Sequence, residues 1–208
     1  MKKATRENIL EQAARAFSLN GYKETNIRDI LRKANANVAA INYYFGSKRG
    51  LYIEILQNVL KRFSSQFESV FNDYQALKPK MPAPTESKAL LKTFIKYLVS
   101  LACSDDVDSI IFIREYMDPS DEYKEVFGGF NDFCKNLFET LLADASGNTV
   151  SKEQNLLTTM MAYSFILTVY TRKQVICRDL KWPGYDAKAK DEIAKTIYRS
   201  ISGVIGIN

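Results

Sequence analysis

Four stretches of this chain, residues 51–78, 85–118, 148–182 and 185–202, contain neither glycine nor proline. Uninterrupted runs of 18 to 35 residues suit helices. A β-rich chain of this size would need frequent turn residues, and no two-residue hairpin signal lies between alternating runs. The apolar spacing agrees. Ile9, Leu10, Ala13, Ala14 and Phe17 form a helical stripe that ends near Asn20 and Gly21. Ile27, Ile30, Leu31 and Ala34 form a second, and Val38, Ile41 and Phe45 a short third. Leu51, Ile55, Leu56, Val59, Leu60, Phe63, Phe67, Val70 and Phe71 run through a long fourth helix over 47–72. A proline-rich break follows at 78–85. Further helices are expected at 86–104, 106–117, 121–144, 151–178 and 187–204. Ser109–Ile113 has the local propensity of a strand, but its neighbours are helical. The fold class is therefore all-α.

Charge divides the chain unevenly. Residues 1–50 hold ten Lys and Arg against four acids, a net of +6, while residues 51–208 carry a net of −1. Five of the 24 Phe and Tyr lie in the first 50 residues, and Trp182 lies with the remainder. A small basic module thus precedes a larger, neutral, aromatic-rich one. Local positive charge favours phosphate backbones or anionic membranes, although a merely solvated basic face has the same composition.

Several chemistries are excluded by residue type. With no histidine, the chain has no Ser-His-Asp triad, Cys-His pair or imidazole proton shuttle. Three dispersed cysteines, Cys103, Cys134 and Cys177, make neither a Cys-x-x-Cys metal site nor a disulfide framework, and suit a reducing compartment. No apolar run approaches the roughly 20 residues that span a bilayer. The opening residues lead into an amphipathic segment rather than a signal-peptide core. No glycine-rich phosphate loop or Gly-x-Ser-x-Gly elbow is present. The expectation is a cytoplasmic, non-enzymatic protein with no cofactor and no metal.

The three short helices over about 7–44 can build a DNA-reading unit. Only Asn35, Ala36 and Asn37 separate the second from the third, which is helix-turn-helix spacing. Asn35 can take the left-handed conformation that closes a helix, and Asn37 can cap the next one. Thr25 or Asn26 can cap the second helix, whose freed N-terminus suits a phosphate oxygen. On the third helix Ile41 points inward and Phe45 anchors the far end. Val38, Ala39, Ala40, Asn42 and Tyr43 are left outward. Ala39 and Ala40 allow close approach to a thymine methyl, and Asn42 can pair bidentately with adenine. Tyr43 can bond to phosphate or stack on sugar. Arg28 can reach a guanine edge or phosphate, and Lys48 is placed for phosphate. For each of these the competing reading is an ordinary solvated side chain.

Residues 6–52 resemble the N-terminal domain of TetR/AcrR-family transcriptional regulators. The resemblance rests on Arg6-Glu-Asn-Ile-Leu-Glu-Gln-Ala-Ala-Arg-Ala-Phe17, Gly21-Tyr22, Thr25-Asn-Ile-Arg-Asp-Ile30, and Asn42-Tyr-Tyr-Phe-Gly-Ser-Lys48 with Leu51-Tyr52. A shorter stretch, Arg114-Glu-Tyr-Met-Asp-Pro-Ser120, is similar to a segment of the CecR-like regulators. In this chain Asn35 stands at the family's turn glycine, Ala36 at the usual valine, and Asn42 at the usual aromatic. The last change bears on which operator is read.

The resemblance implies a helix-turn-helix domain over 1–46 and a helical effector-binding and dimerisation domain over 47–208. It implies a recognition helix at Asn37–Tyr43, backbone contacts from Thr25 and Asn26, and a phosphate-binding Lys48. It also implies a homodimer through helices near 151–178 and 187–204, on a near-palindromic DNA operator. The stripe of Ile193, Ile197 and Ile201 fits that interface, or else the subunit's own core. An apolar pocket for a small-molecule effector is implied in the middle helices, with candidates Tyr97, Phe112, Arg114, Tyr116, Met117, Phe130, Phe133, Met161 and Phe165. These are equally ordinary core residues, and Arg114 and Glu115 can form an ion pair, face solvent or grip a ligand. A repressor of this kind releases DNA when its effector tilts the long helix 47–72. The alternative is a basic membrane-surface or protein-interaction module without sequence-specific DNA binding.

Overall fold

A computed structural model describes residues 2–77 and 83–206 of the chain. Among the described residues there are ten helices and no strand. They are α1 (Lys2–Glu24), α2 (Ile27–Lys33), α3 (Val38–Phe45), α4 (Lys48–Leu77), α5 (Pro84–Ala102), α6 (Val107–Met117), α7 (Asp121–Ala145), α8 (Lys152–Thr171), α9 (Lys173–Asp179) and α10 (Ala187–Ile205). The expected break over 78–85 falls mostly on 78–82, outside the described residues. After it, Pro84 opens α5 at a position where its missing N–H costs nothing, and the Glu86 carboxylate accepts from the Ala83 N–H at 2.9 Å.

The helix expected over 106–117 is present, and two other expectations are corrected. Ser109–Ile113 lies within α6, where Asp106 caps the helix by accepting from the N–H groups of Asp108 and Ser109. The fourth helix continues past residue 72 to Leu77. The single helix expected over 151–178 is two, because Arg172 leaves helical geometry at φ −107° and ψ 16°. No glycine or proline marks that break.

The chain forms two compact units. The first comprises 1–64 and 105–129, and the second 65–104 and 130–208, so α4 and α7 each contribute to both. In the first unit α1 packs on α2 and α6. Its core includes Ile9, Phe17, Ile30, Ile41, Leu51, Tyr52 and Leu56, all 3% exposed or less. Burying such side chains supplies about 1.5–3 kcal/mol each before conformational entropy is counted. In the second unit α10 packs on α5 and α8. Phe94, Ile95, Phe138, Leu141, Ile197 and Ile201 are buried there. Ile193, Ile197 and Ile201 therefore cover their own subunit's core, as the second of the two readings of that stripe held. Cys103 and Cys134 are buried and Cys177 is half-buried, all as free thiols. Burial pushes the Cys134 thiol up to about 12.

Candidate nucleic-acid interface

The helix-turn-helix is built by local capping. Asn26 Oδ1 accepts from the Arg28 N–H at 2.9 Å and opens α2. At its end Asn35 sits at φ 50°, and the Ala36 N–H reaches back to the Leu31 carbonyl at 2.9 Å. This is the left-handed helix stop expected of an asparagine there. Asn8 Nδ2 of α1 donates to the Ala34 carbonyl at 2.9 Å, fastening that turn to the domain. Asn37 Oδ1 then accepts from the Ala40 N–H at 3.1 Å and opens α3.

On α3 only Ile41 is buried, at 3% exposure. Ala40 is half-buried, while Asn37, Val38, Ala39, Asn42 and Tyr43 are exposed. Val38 is 58% and Tyr43 71% exposed, unusual for residues so apolar. One face thus holds the helix and the other is left for a partner. Arg28 of α2 is also exposed.

The far end of α3 is fixed by residues that the sequence reading did not single out. Arg6 makes paired bonds to Glu54 of α4 at 2.6 and 2.7 Å, and its guanidinium lies 5.1 Å from the centre of the Phe45 ring. Gly46, at φ 73°, turns the chain out of α3. Ser47 Oγ accepts from the Gly50 N–H at 3.0 Å and starts α4. A Cβ on Gly50 would lie 2.0 Å from the Phe45 carbonyl oxygen, so the two helices close on each other only with glycine there. A glycine three residues into a helix was the available signal.

Thr25 is placed otherwise than foreseen, and Lys48 opens α4 as expected. Thr25 is buried, and its hydroxyl donates to the carbonyls of Gly21 at 2.6 Å and Ala16 at 3.2 Å. The capping role expected of either residue falls to Asn26, and the Thr25 hydroxyl is taken up by main-chain carbonyls. Lys48 is half-buried, with Nζ 4.8 Å from the Tyr22 ring centre and 3.4 Å from the Lys23 carbonyl. Burial lowers its pKa, with Glu24 acting in the opposite direction. It remains at the first position of α4, beside α3.

The expected effector residues are divided between the two units. Phe112, Arg114, Tyr116 and Met117 belong to the first unit, and Tyr97, Phe130, Phe133, Met161 and Phe165 to the second. In the first, Phe112 meets Phe63 edge-on, stacks with Tyr116 and lies tilted against Tyr123 and Phe127. Met117 is exposed. Arg114 does not pair with Glu115, and its Nη2 donates to the Leu19 carbonyl. Glu115 is buried and accepts from the Tyr52 hydroxyl and the Ser120 N–H. In the second unit Tyr97, Phe130 and Phe133 surround Phe67, with ring centres 5.5, 6.1 and 6.0 Å from it. Met161 and Phe165 are instead exposed on α8, together with Leu156, Leu157 and Met160.

Residues 9–55 match the family model of the tetR-family bacterial regulatory proteins. Residues 87–205, more than half of the chain, match the model of the C-terminal domain of the HTH-type transcriptional dual regulator CecR. The chain belongs to the tetR family. The short similarity at Arg114–Ser120 lies inside the second match. CecR of Shigella flexneri is 24% identical over 198 residues, covering 92% of this chain and 87% of the relative. The regulator YttP of Bacillus subtilis, described as probable, is 35% identical over 69 residues, 33% of each chain. Among solved structures, AibR in complex with isovaleryl coenzyme A and operator DNA superposes with a TM-score of 0.68 at 18% identity, over 94% of this chain and 97% of that one. The tetR-family chain described here is thus a helix-turn-helix, DNA-binding transcription regulator. No described helix is long and apolar enough to cross a membrane.

Proposed function

We propose that this tetR-family regulator is a cytoplasmic repressor with no chemistry of its own. Two copies bind a near-palindromic operator, and a small-molecule effector releases them. Residues 1–46 read DNA, and residues 47–208 serve effector binding and dimerisation. The observation that carries this reading is the two-sided α3, with Ile41 buried and Val38, Ala39, Asn42 and Tyr43 exposed. In the complex Asn42 pairs with adenine, Ala39 and Ala40 face thymine methyls, and Tyr43 and Lys48 hold phosphates. Arg28 and the α2 N-terminus at Asn26, with its main chain, complete the phosphate contacts. Asn37 and Val38 bring the start of α3 against the groove.

One such helix makes too few contacts, whereas two placed about 34–36 Å apart read both halves of a palindrome. The exposed Leu156, Leu157, Met160, Met161 and Phe165 support α8 as the face that a second copy covers. The aromatic group of Tyr97, Phe130 and Phe133 around Phe67 is the proposed effector wall. AibR, of the same fold, was solved with both an acyl-coenzyme A and operator DNA. An effector shifts the protein only by binding one conformation better, so operator DNA weakens effector binding by the same factor.

Selection of bound duplexes from a random pool by the purified chain tests the reading. Enrichment of a two-fold symmetric motif with half-sites one turn apart is expected. No enrichment, together with equally strong binding of the chain to anionic vesicles, would favour the membrane-surface alternative.

A further inference from the structure

We propose that the groove between α5 and α10 is a binding site for a phosphorylated small molecule, separate from both the DNA-reading face and the aromatic group around Phe67. The groove is open on one side and offers about 450 Å³, within the range of small-molecule sites. Lys92 and Lys96 of α5 line one side, and Lys195 and Arg199 of α10 the other. Asp191 is the single acid among its lining residues, leaving a charge of +3.

The arrangement differs from an ordinary solvated face. Each helix places two cations four residues apart, a spacing that puts like charges side by side and costs stability. The two rows then face each other. Lys96 Nζ lies 3.4 Å from Asp191, and Lys92 Nζ lies 4.6 Å from the Tyr198 ring centre, so the helices run antiparallel along the groove. Asp191 accepts from Lys195 at 2.7 Å as well, which holds its carboxyl below the usual range. One carboxylate thus serves two lysines. Among the described residues Arg199 meets no carboxylate, and Lys92 rests on an aromatic face. Three arginines that hold other helices together are matched with acids: Arg6 with Glu54, Arg49 with Glu122 and Glu125, Arg62 with Asp106 and Asp108.

A concave surface whose lining carries a net charge of +3 suits a ligand group carrying two to three negative charges. A phosphate ester or pyrophosphate carries that charge on compact oxygens, and a guanidinium binds two of them at once. A single carboxylate supplies one charge and leaves the repulsion between the rows in place. The site holds whether or not its ligand is the effector that releases operator.

Titration calorimetry of the full chain with inorganic pyrophosphate, without DNA, tests the site. Saturable one-to-one binding is expected. The double variant Lys96→Ala/Arg199→Ala should weaken it at least about tenfold. Asp191→Asn should tighten it about threefold or more, by removing the one opposing charge. Lys61→Ala/Lys152→Ala, which removes two exposed cations from other helices, should leave it unchanged. Circular dichroism checks that each variant is folded. The proposal is overturned by no binding, by a groove variant or Asp191→Asn that binds like the parent, or by equal loss in the Lys61/Lys152 control. It is also overturned if citrate binds as tightly as pyrophosphate, since charge alone would then account for the heat. Because no DNA is present, none of these outcomes bears on the operator reading.

Discussion

Arg114 Nη2 of α6 donates to the main-chain carbonyl of Leu19 near the end of α1, 2.9 Å away. Its side chain also packs 3.5 Å from where a Cβ would stand on Gly21, whose φ of 77° breaks α1 just before the helix-turn-helix. The carbonyl of Leu19 lies at a helix end, where main-chain acceptors lack helical partners, and a guanidinium supplies the donor. A residue of the CecR-type region is thereby bonded to the first helix of the DNA-reading region.

Arg114→Ala should lower stability by about 1–3 kcal/mol, the usual cost of losing a bond from a charged donor. Urea unfolding of parent and variant measures it. Equal midpoints would show that the contact contributes nothing to holding α1.

Tyr52 and Glu115 form a second link within the same unit. The Tyr52 hydroxyl donates to the buried Glu115 carboxylate at 2.5 Å. Burial, and after it this bond, raise the phenol's pKa above its ordinary 10.0. An unfolded chain releases that proton near pH 10.0 while the folded one keeps it. Stability from this group is therefore complete below that pH and falls as pH rises beyond it. Tyr52→Phe should cost about 2 kcal/mol at neutral pH, because Glu115 is left short of a donor. It should also flatten the loss of stability between pH 10 and about 11, read from unfolding midpoints. An unchanged alkaline slope would assign the loss to other groups.

Gly50→Ala places a methyl against the Phe45 carbonyl oxygen. A loss of about 3 kcal/mol is expected, since backbone rather than a flexible side chain must move. Operator affinity should fall as well, because the shift falls on the end of α3. Thermal melting and anisotropy with labelled operator, below the variant's melting point, read the two effects separately. A variant with the parent's melting point would show that the turn opens without cost.

Asn42→Ala and Lys48→Ala should separate reading from holding. The first should relax discrimination at one base pair per half-site, by about 1–3 kcal/mol. The second should weaken all duplexes alike and reduce the salt dependence of binding by about one phosphate contact per subunit. Competition binding against single-base operator variants at several salt concentrations measures both. If Asn42→Ala keeps the preferred sequence, Asn42 is not a reader.

Much of the DNA-reading region was legible because its signals are short-ranged. The caps Asn26 and Asn37 and the left-handed Asn35 act on backbone groups within a few residues. The exposure of Asn42 and Tyr43 follows from one buried position, Ile41, on a two-turn helix. Thr25 was misplaced because a threonine before a helix can turn its hydroxyl either way, and the carbonyls of Gly21 and Ala16 decided the direction. The Ile193, Ile197 and Ile201 stripe showed that α10 buries one face, but not which surface covers it.

The amino-acid order alone determined an all-helical chain, its helix-turn-helix and the residues that stop and start those helices. These depend on hydrogen bonds spanning two to five residues and on a periodicity of 3.6. Tertiary structure decided the use of Arg114, Glu115 and Arg6, the division of the aromatic residues between two units, and the facing cation rows of α5 and α10. Arg114 and Leu19 are 95 residues apart, and Tyr52 and Glu115 are 63 apart. Partners so distant in the chain meet only when packed helices bring their faces together, and no local pattern in the sequence records that meeting.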